Sequence, residues 1–290
     1  MNEKKTDITL GGRAVYSPRQ KFFRGLISVI LVAYTSITIF VVGITLLDSF
    51  KLKGDLISNF FGLPKVFVLD NYRNVILNDS FLLFFKNSFL LTGFGTAGCI
   101  LLASMTAYGV ARYDFKGKAL LSSYFLVGMM VPIQVSVLPL FLILKRIGLL
   151  NHLTGMILVY VSGISMCFVV FQKYFSTLPK ALEEAARIDG CSDMRTFFIV
   201  MLPISKPVIF TMALITAVGE WNDFYMPMVL LGNKKTTTLT LAIYRYLGQF
   251  TKYMGQSMAA VIITLIPVIV IYFMFSSQIV DGLTGGAIKE

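Results

Sequence analysis

Long stretches without Asp, Glu, Lys or Arg dominate the pattern of apolar and polar positions. Residues 25–47, 87–111, 119–144, 147–172 and 253–280 each run for about the 20 apolar residues that a helix needs to cross a bilayer core about 30 Å thick. His152 shortens the fourth. Residues 207–233 make another, interrupted by Glu220 and Asp223. The pattern therefore predicts six spans, all helical, because backbone groups in lipid must be satisfied within their own segment. The first is too long for a secretory signal and no small-residue cleavage site follows it, so it is read as a retained helix.

Composition strengthens that picture. The 290 residues are 56% hydrophobic and only 14% charged, with mean hydropathy +0.75. Soluble domains carry about 25% charge. The net charge of +11 then orients loops and meets anionic lipid, and no nucleic-acid partner is expected. Lys4, Lys5, Arg13, Arg19, Lys21 and Arg24 precede the first span. They place the N-terminus in the cytoplasm, and with six spans the C-terminus follows it. Residues 1–24 become a basic cytoplasmic N-terminus, 25–280 the six-span domain, and 281–290 a cytoplasmic tail. The loop 174–206 is cytoplasmic, whereas 49–86 and 234–252 are the longer outer loops.

Candidate chemistry is sparse. Cys99, Cys167 and Cys191 have no metal-ligand spacing, and His152 is the only histidine. No catalytic residue, metal site or bound cofactor is expected. A phosphate-binding loop is absent: Lys118 follows Gly117, but Ala119 comes next.

The polar loop carries more information. Pro179 suits a first helical turn and Gly190 the residue past its end, predicting a helix over 179–189, about 16 Å long. Leu182, Ala185 and Ala186 are expected on one face, leaving room for close approach by a partner. Ser192 is placed as the cap of a second helix, 193–202, and Pro203 and Pro207 break the chain before the fifth span. By helix signals alone, an amphipathic turn on lipid headgroups fits equally well.

The spacing Glu184-Ala185-Ala186, Gly190, Val200, Leu202, Pro203 resembles the signature loop of ABC importer permeases, with Val200 where isoleucine is usual. Other stretches extend the likeness: Ala107-Tyr108-Gly109-Val110-Ala111-Arg112, Gly148-Leu149-Leu150-Asn151, Glu220-Trp221-Asn222-Asp223 and the tail from Asp281. Together they resemble the MalG-like permeases of carbohydrate-uptake ABC transporters. That resemblance implies an all-α, MetI-like type I permease fold in the cell membrane. It implies a second permease, two ATPase subunits that carry the ATP and magnesium, and an extracytoplasmic sugar-binding protein. It assigns ATPase coupling to Glu184, Ala185, Ala186, Asp189, Gly190, Leu202 and Pro203, and tail contacts with the ATPases to Gly282, Leu283, Thr284 and Gly286.

Glu220, Trp221, Asn222 and Asp223 form a polar cluster within the fifth apolar segment. A carboxylate at mid-bilayer costs about 2.5–3.5 kcal/mol on insertion scales, so both acids are expected to face protein or water. The cluster reads either as a wall of the translocation pathway or as a hydrogen-bonded joint between helices. Pro227 is expected to kink the helix just beyond it. A proton-coupled secondary transporter using Glu220 and Asp223 is the competing function.

Overall fold

The computed structural model describes residues 9–10, 13–14, 17–78 and 80–285, with side chains described for 17–77 and 80–273. Apart from a two-residue strand pairing (Thr9–Leu10 with Arg13–Ala14), every regular element among them is helical.

Among the described residues, three helices are long and apolar enough to span on their own. They are α1 (Pro18–Ser49), α4 (Phe81–Arg112) and α15 (Phe250–Gly285), the last with a break at Tyr253. Two short helices, α2 (Lys53–Ser58) and α3 (Asp70–Asn78), lie between α1 and α4.

Two of the other three expected spans are bent, which corrects the expectation of continuous helices, and the third is entered through a sharp turn. In the first, α5 (Lys118–Met130) meets a 3-10 turn and α6 (Val137–Arg146) at 97°. The cause is Pro132. It cannot donate a helical hydrogen bond and drives the preceding residue out of the helical region, and Val131 is extended (φ −79°, ψ 121°). In the second, α7 (Leu153–Ser162) and α8 (Ser165–Thr177) bend by 40° at Gly163. In the third, the segment Asp193–Ile204 turns by 80° into α12 (Lys206–Asn222). There Pro203 and Pro207 act as the sequence predicts. Upstream of Pro203 the hydrogen bonding slips into a π turn over Phe197–Met201, as happens where a regular helical bond is lost.

The fifth span also ends sooner than expected. The helix stops at Asn222 because Asp223 is extended (φ −68°, ψ 121°). A new helix, α13 (Tyr225–Leu230), follows, so the break falls within the polar cluster itself, four residues before Pro227, where the kink was expected.

Packing is centred on α4. Its buried face repeats every four residues through Leu91, Gly95, Cys99, Ala103 and Ala107, a run of mainly small side chains that lets neighbouring backbones approach. At one end α4 packs with Phe168, Phe171, Phe175, Phe197 and Met201. At the other, Phe81, Phe84 and Trp221 gather with Leu239, Ala259 and Ala260. By contrast, only Asp48 and Ser49 of α1 are buried. Thr35, Thr38 and Thr45 return their hydroxyls to carbonyls four residues back. The outward face of α1 therefore presents no unsatisfied polar group to lipid at those positions.

Candidate functional site

The predicted loop forms α9 (Ala181–Ile188), two residues shorter at its N-terminal end, so that Pro179 precedes the helix, and one residue shorter at its C-terminal end than expected. Its end is fixed by Gly190, whose φ of +77° suits glycine. Cys191 N–H donates to the Ala186 carbonyl and Gly190 N–H to that of Arg187, the two bonds of a Schellman cap. Ser192 then caps α10 (Asp193–Thr196), its hydroxyl accepting from Arg195 N–H at 3.4 Å.

The two alanines do not share a face. Ala186 is buried against the bundle, whereas Ala185 is exposed beside Glu184, Arg187 and Ile188. Adjacent helical residues point about 100° apart, so only one of them can face the protein's own core. The outward surface of α9 is therefore Glu184, Ala185 and Ile188, with Asp189 past its end. Ile188 is 87% exposed. Leu202 and Pro203 sit at the return to α12, Pro203 exposed and Leu202 packed against the Phe168 cluster.

What holds α9 in place comes from far away in the chain. Arg112, the last residue of α4, pairs its Nε with Glu183 Oε1 at 3.1 Å and donates from Nη2 to the Leu178 carbonyl at 2.9 Å. The Arg112 and Glu183 side chains are 5% and 13% exposed. This clamp joins α9 to the central helix of the bundle. Sequence reasoning quoted Arg112 as part of a motif but found no partner for it.

At the other end of α12 the polar cluster faces inward. Thr96 of α4 donates to Glu220 Oε2 at 3.0 Å. Tyr160 of α7 donates to Asp223 Oδ2 at 3.0 Å. Asp223 Oδ1 accepts from the N–H groups of Tyr225 and Met226, capping α13. Trp221 is buried edge-on against Phe85 at 5.8 Å. Asn222 is exposed, and its amide donates back to the Val218 carbonyl. Gly95 makes the approach of Glu220 possible, since a Cβ there would lie 2.7 Å from Glu220 Oε2. Glu220 and Asp223 thus tie α4, α7 and α12 together through hydrogen bonds, and the largely buried Trp221 lines, with Phe85 and Thr96, an apolar cavity of about 770 Å³.

The expected tail lies partly within the described residues. Residues 281–285 continue α15, so the backbones of Gly282, Leu283 and Thr284 lie on its last turn. Their side chains, and all of Gly286, are outside the described residues. Also unforeseen, Cys99 and Cys167 meet across α4 and α8 with sulfurs 4.0 Å apart.

The described residues thus form a helical bundle of apolar segments in which a capped, surface-exposed helix is clamped to the central span. Residues 99–281 match the family described as the binding-protein-dependent transport system inner membrane component, and the chain belongs to that family. One relative is the permease protein AmyC of a probable starch degradation products transport system from Thermoanaerobacterium thermosulfurigenes. It is 32% identical over 250 residues, covering 85% of this chain and 90% of the relative. The arabinooligosaccharides permease AraQ of Bacillus subtilis is 31% identical over 279 residues, 94% and 99% of the two chains. The diacetylchitobiose uptake permease NgcG of Streptomyces coelicolor is 32% identical over 271 residues, covering 92% and 89%. The fold matches a chain from the crystal structure of a bacterial ABC transporter that imports the acidic polysaccharide alginate. The TM-score is 0.80 at 21% identity, with 91% of this chain and 99% of that chain covered. Membership in a binding-protein-dependent family stands against the proton-coupled reading.

Proposed function

We propose that this permease carries a sugar or oligosaccharide, forms the translocation pathway with a second permease, and is moved by two ATPase subunits that bind and hydrolyse ATP. An extracytoplasmic binding protein supplies the substrate. The observation that carries the coupling is the exposed Glu184-Ala185-Ile188 surface on a helix locked to α4 through Arg112 and Glu183. The substrate class rests on relatives named for starch products, arabinooligosaccharides and diacetylchitobiose.

In this reading the end bearing α9 is cytoplasmic, together with both termini. Movement of an ATPase against α9 passes through the Arg112–Glu183 clamp into α4. It then reaches α12 and α7 through Thr96, Glu220, Tyr160 and Asp223, so the bundle alternates its access as one body. Glu220 and Asp223 serve as the joint and carry no proton. The tail residues Gly282, Leu283, Thr284 and Gly286 add a second contact with the ATPases.

Proteoliposomes holding the whole transporter, with ATP inside and the proton gradient collapsed, test this. Continued uptake of a sugar delivered by the binding protein is expected. Uptake that stops while ATP remains plentiful contradicts it and makes the proton-coupled carrier the better account.

A further inference from the structure

At the end of the bundle away from α9, a cavity of about 560 Å³ opens between α3, the start of α4, α14 (Leu239–Leu247) and α15. Its size falls within the range of about 300–1,000 Å³ usual for small-molecule sites. Lys234 and Arg245 line it, and none of its lining residues is acidic. Gln249, Gln256 and Asn74 bring amides to the same space, and Tyr246 and Tyr253 bring rings set edge to face at 6.0 Å.

The wall is anchored. Asn87 of α4 donates its amide to the carbonyls of Lys235 and Thr237, each at 2.9 Å. Ser88 Oγ accepts from Leu239 N–H at 2.9 Å. Thr237 is buried, and its hydroxyl accepts from Arg245 Nη1 at 3.4 Å, which orients the guanidinium. Two cations lining a concave, acid-free surface, one of them oriented by Thr237, attract an anion, and a guanidinium suits a carboxylate in particular. Amides and tyrosine rings beside them match the hydroxyls and apolar faces of a sugar.

The geometry points to an anionic carbohydrate, a uronate-type unit of an oligosaccharide, as the ligand of this cavity, its carboxylate held by Arg245 and Lys234 and its ring by the tyrosines and amides. The carbohydrate part of this assignment rests on the proposed function, whereas the charge preference rests on the cavity alone. With that orientation the cavity is extracytoplasmic, where a delivered sugar first meets the permease.

The test is saturation-transfer NMR on the assembled transporter in nanodiscs, with a galacturonate disaccharide and the neutral galactose disaccharide of the same linkage. The acidic sugar is expected to bind more tightly, with salt-sensitive affinity. In the Lys234→Gln/Arg245→Gln double variant that affinity should fall by about tenfold or more, the scale of one lost charge-assisted pair. The neutral sugar should change little, and Arg245→Lys should regain part of the loss. Both positions are exposed, so the variants are expected to fold, and an unchanged melting temperature checks this. Absence of acidic-sugar binding, or equal binding of both sugars unaffected by the substitutions, overturns the inference. So does a variant that binds the uronate normally but no longer docks the sugar-binding protein, since the cations would then serve a protein acid. ATP-driven uptake of a neutral oligosaccharide by the wild type tests the proposed function separately, and its success leaves that function standing whatever the cavity binds.

Discussion

Each end of the bundle buries an ion pair, and the two pairs do different work. At the end away from α9, Lys51 Nζ meets Asp48 Oδ1 at 2.7 Å, three residues apart, both side chains fully buried. Lys51 also donates to the carbonyls of Asn59 and Phe60 at 2.8 and 2.9 Å. Asn71 donates to the carbonyls of Ser49 and Lys51. That pair is local and staples the connection after α1 to itself. At the α9 end, Arg112 and Glu183 are distant in sequence, and their contact joins two elements that otherwise meet little. The first pair fixes shape; the second, in the proposed function, transmits movement. Local and long-range ion pairs of similar burial therefore predict different phenotypes: loss of stability in one case, loss of coupling in the other.

Removing one partner of a buried pair strands a charge, and the fully buried site should suffer most. Lys51→Met is expected to cost about 3–5 kcal/mol, seen as a lower melting temperature of the purified complex. The Asp48→Leu/Lys51→Met double variant should recover most of that loss, because no uncompensated charge remains. Arg112→Leu should cost somewhat less, about 2–4 kcal/mol, since Glu183 retains some contact with water. Its signature is kinetic. ATP hydrolysis should persist while substrate uptake falls, whereas a surviving Lys51→Met protein should keep the two in proportion. Equal loss of both activities in Arg112→Leu would erase the distinction between the ends.

Two glycines sharpen the contrast at smaller scale. Gly95→Ala places a methyl group against Glu220 and Tyr160. Overpacking of this kind costs about 1–3 kcal/mol, and the displaced Glu220 should weaken the joint between α4 and α12, read as reduced uptake at unchanged expression. Gly190→Ala meets no neighbouring atom but forces a side chain into left-handed backbone, at about 1 kcal/mol. It should fray the end of α9 and reduce the ATPase stimulation caused by the loaded binding protein, with little change in overall melting.

Much of this was legible in the sequence. The number of apolar segments, the capped helix ending at Gly190, the Ser192 cap and the break at Pro203 and Pro207 all follow from local rules acting over a few residues. The bends at Val131 and Gly163 were not foreseen, because apolar length records composition and not backbone direction. A signal for the first did exist in Pro132, isolated inside an apolar run. Asp223 looked like a buried acid in mid-helix, but it ends one helix and caps the next. The different exposure of Ala185 and Ala186 depends on which side of α9 the bundle occupies, and Arg112, far away in the chain, anchors that side. The Asp48–Lys51 pair gave no motif because its partners are backbone carbonyls, which carry no sequence identity.

The central claim is that the exposed surface of α9, at the end clamped by Arg112 and Glu183, is where the ATPase pushes. A photo-crosslinking amino acid at Ile188, with the same residue at Phe61 near the opposite end as comparison, tests it in the assembled transporter in native membranes. The account predicts an adduct with the ATPase subunit from position 188 and none from position 61. An ATPase adduct from position 61, or none from position 188 in a complex that still contains the ATPase, would contradict it.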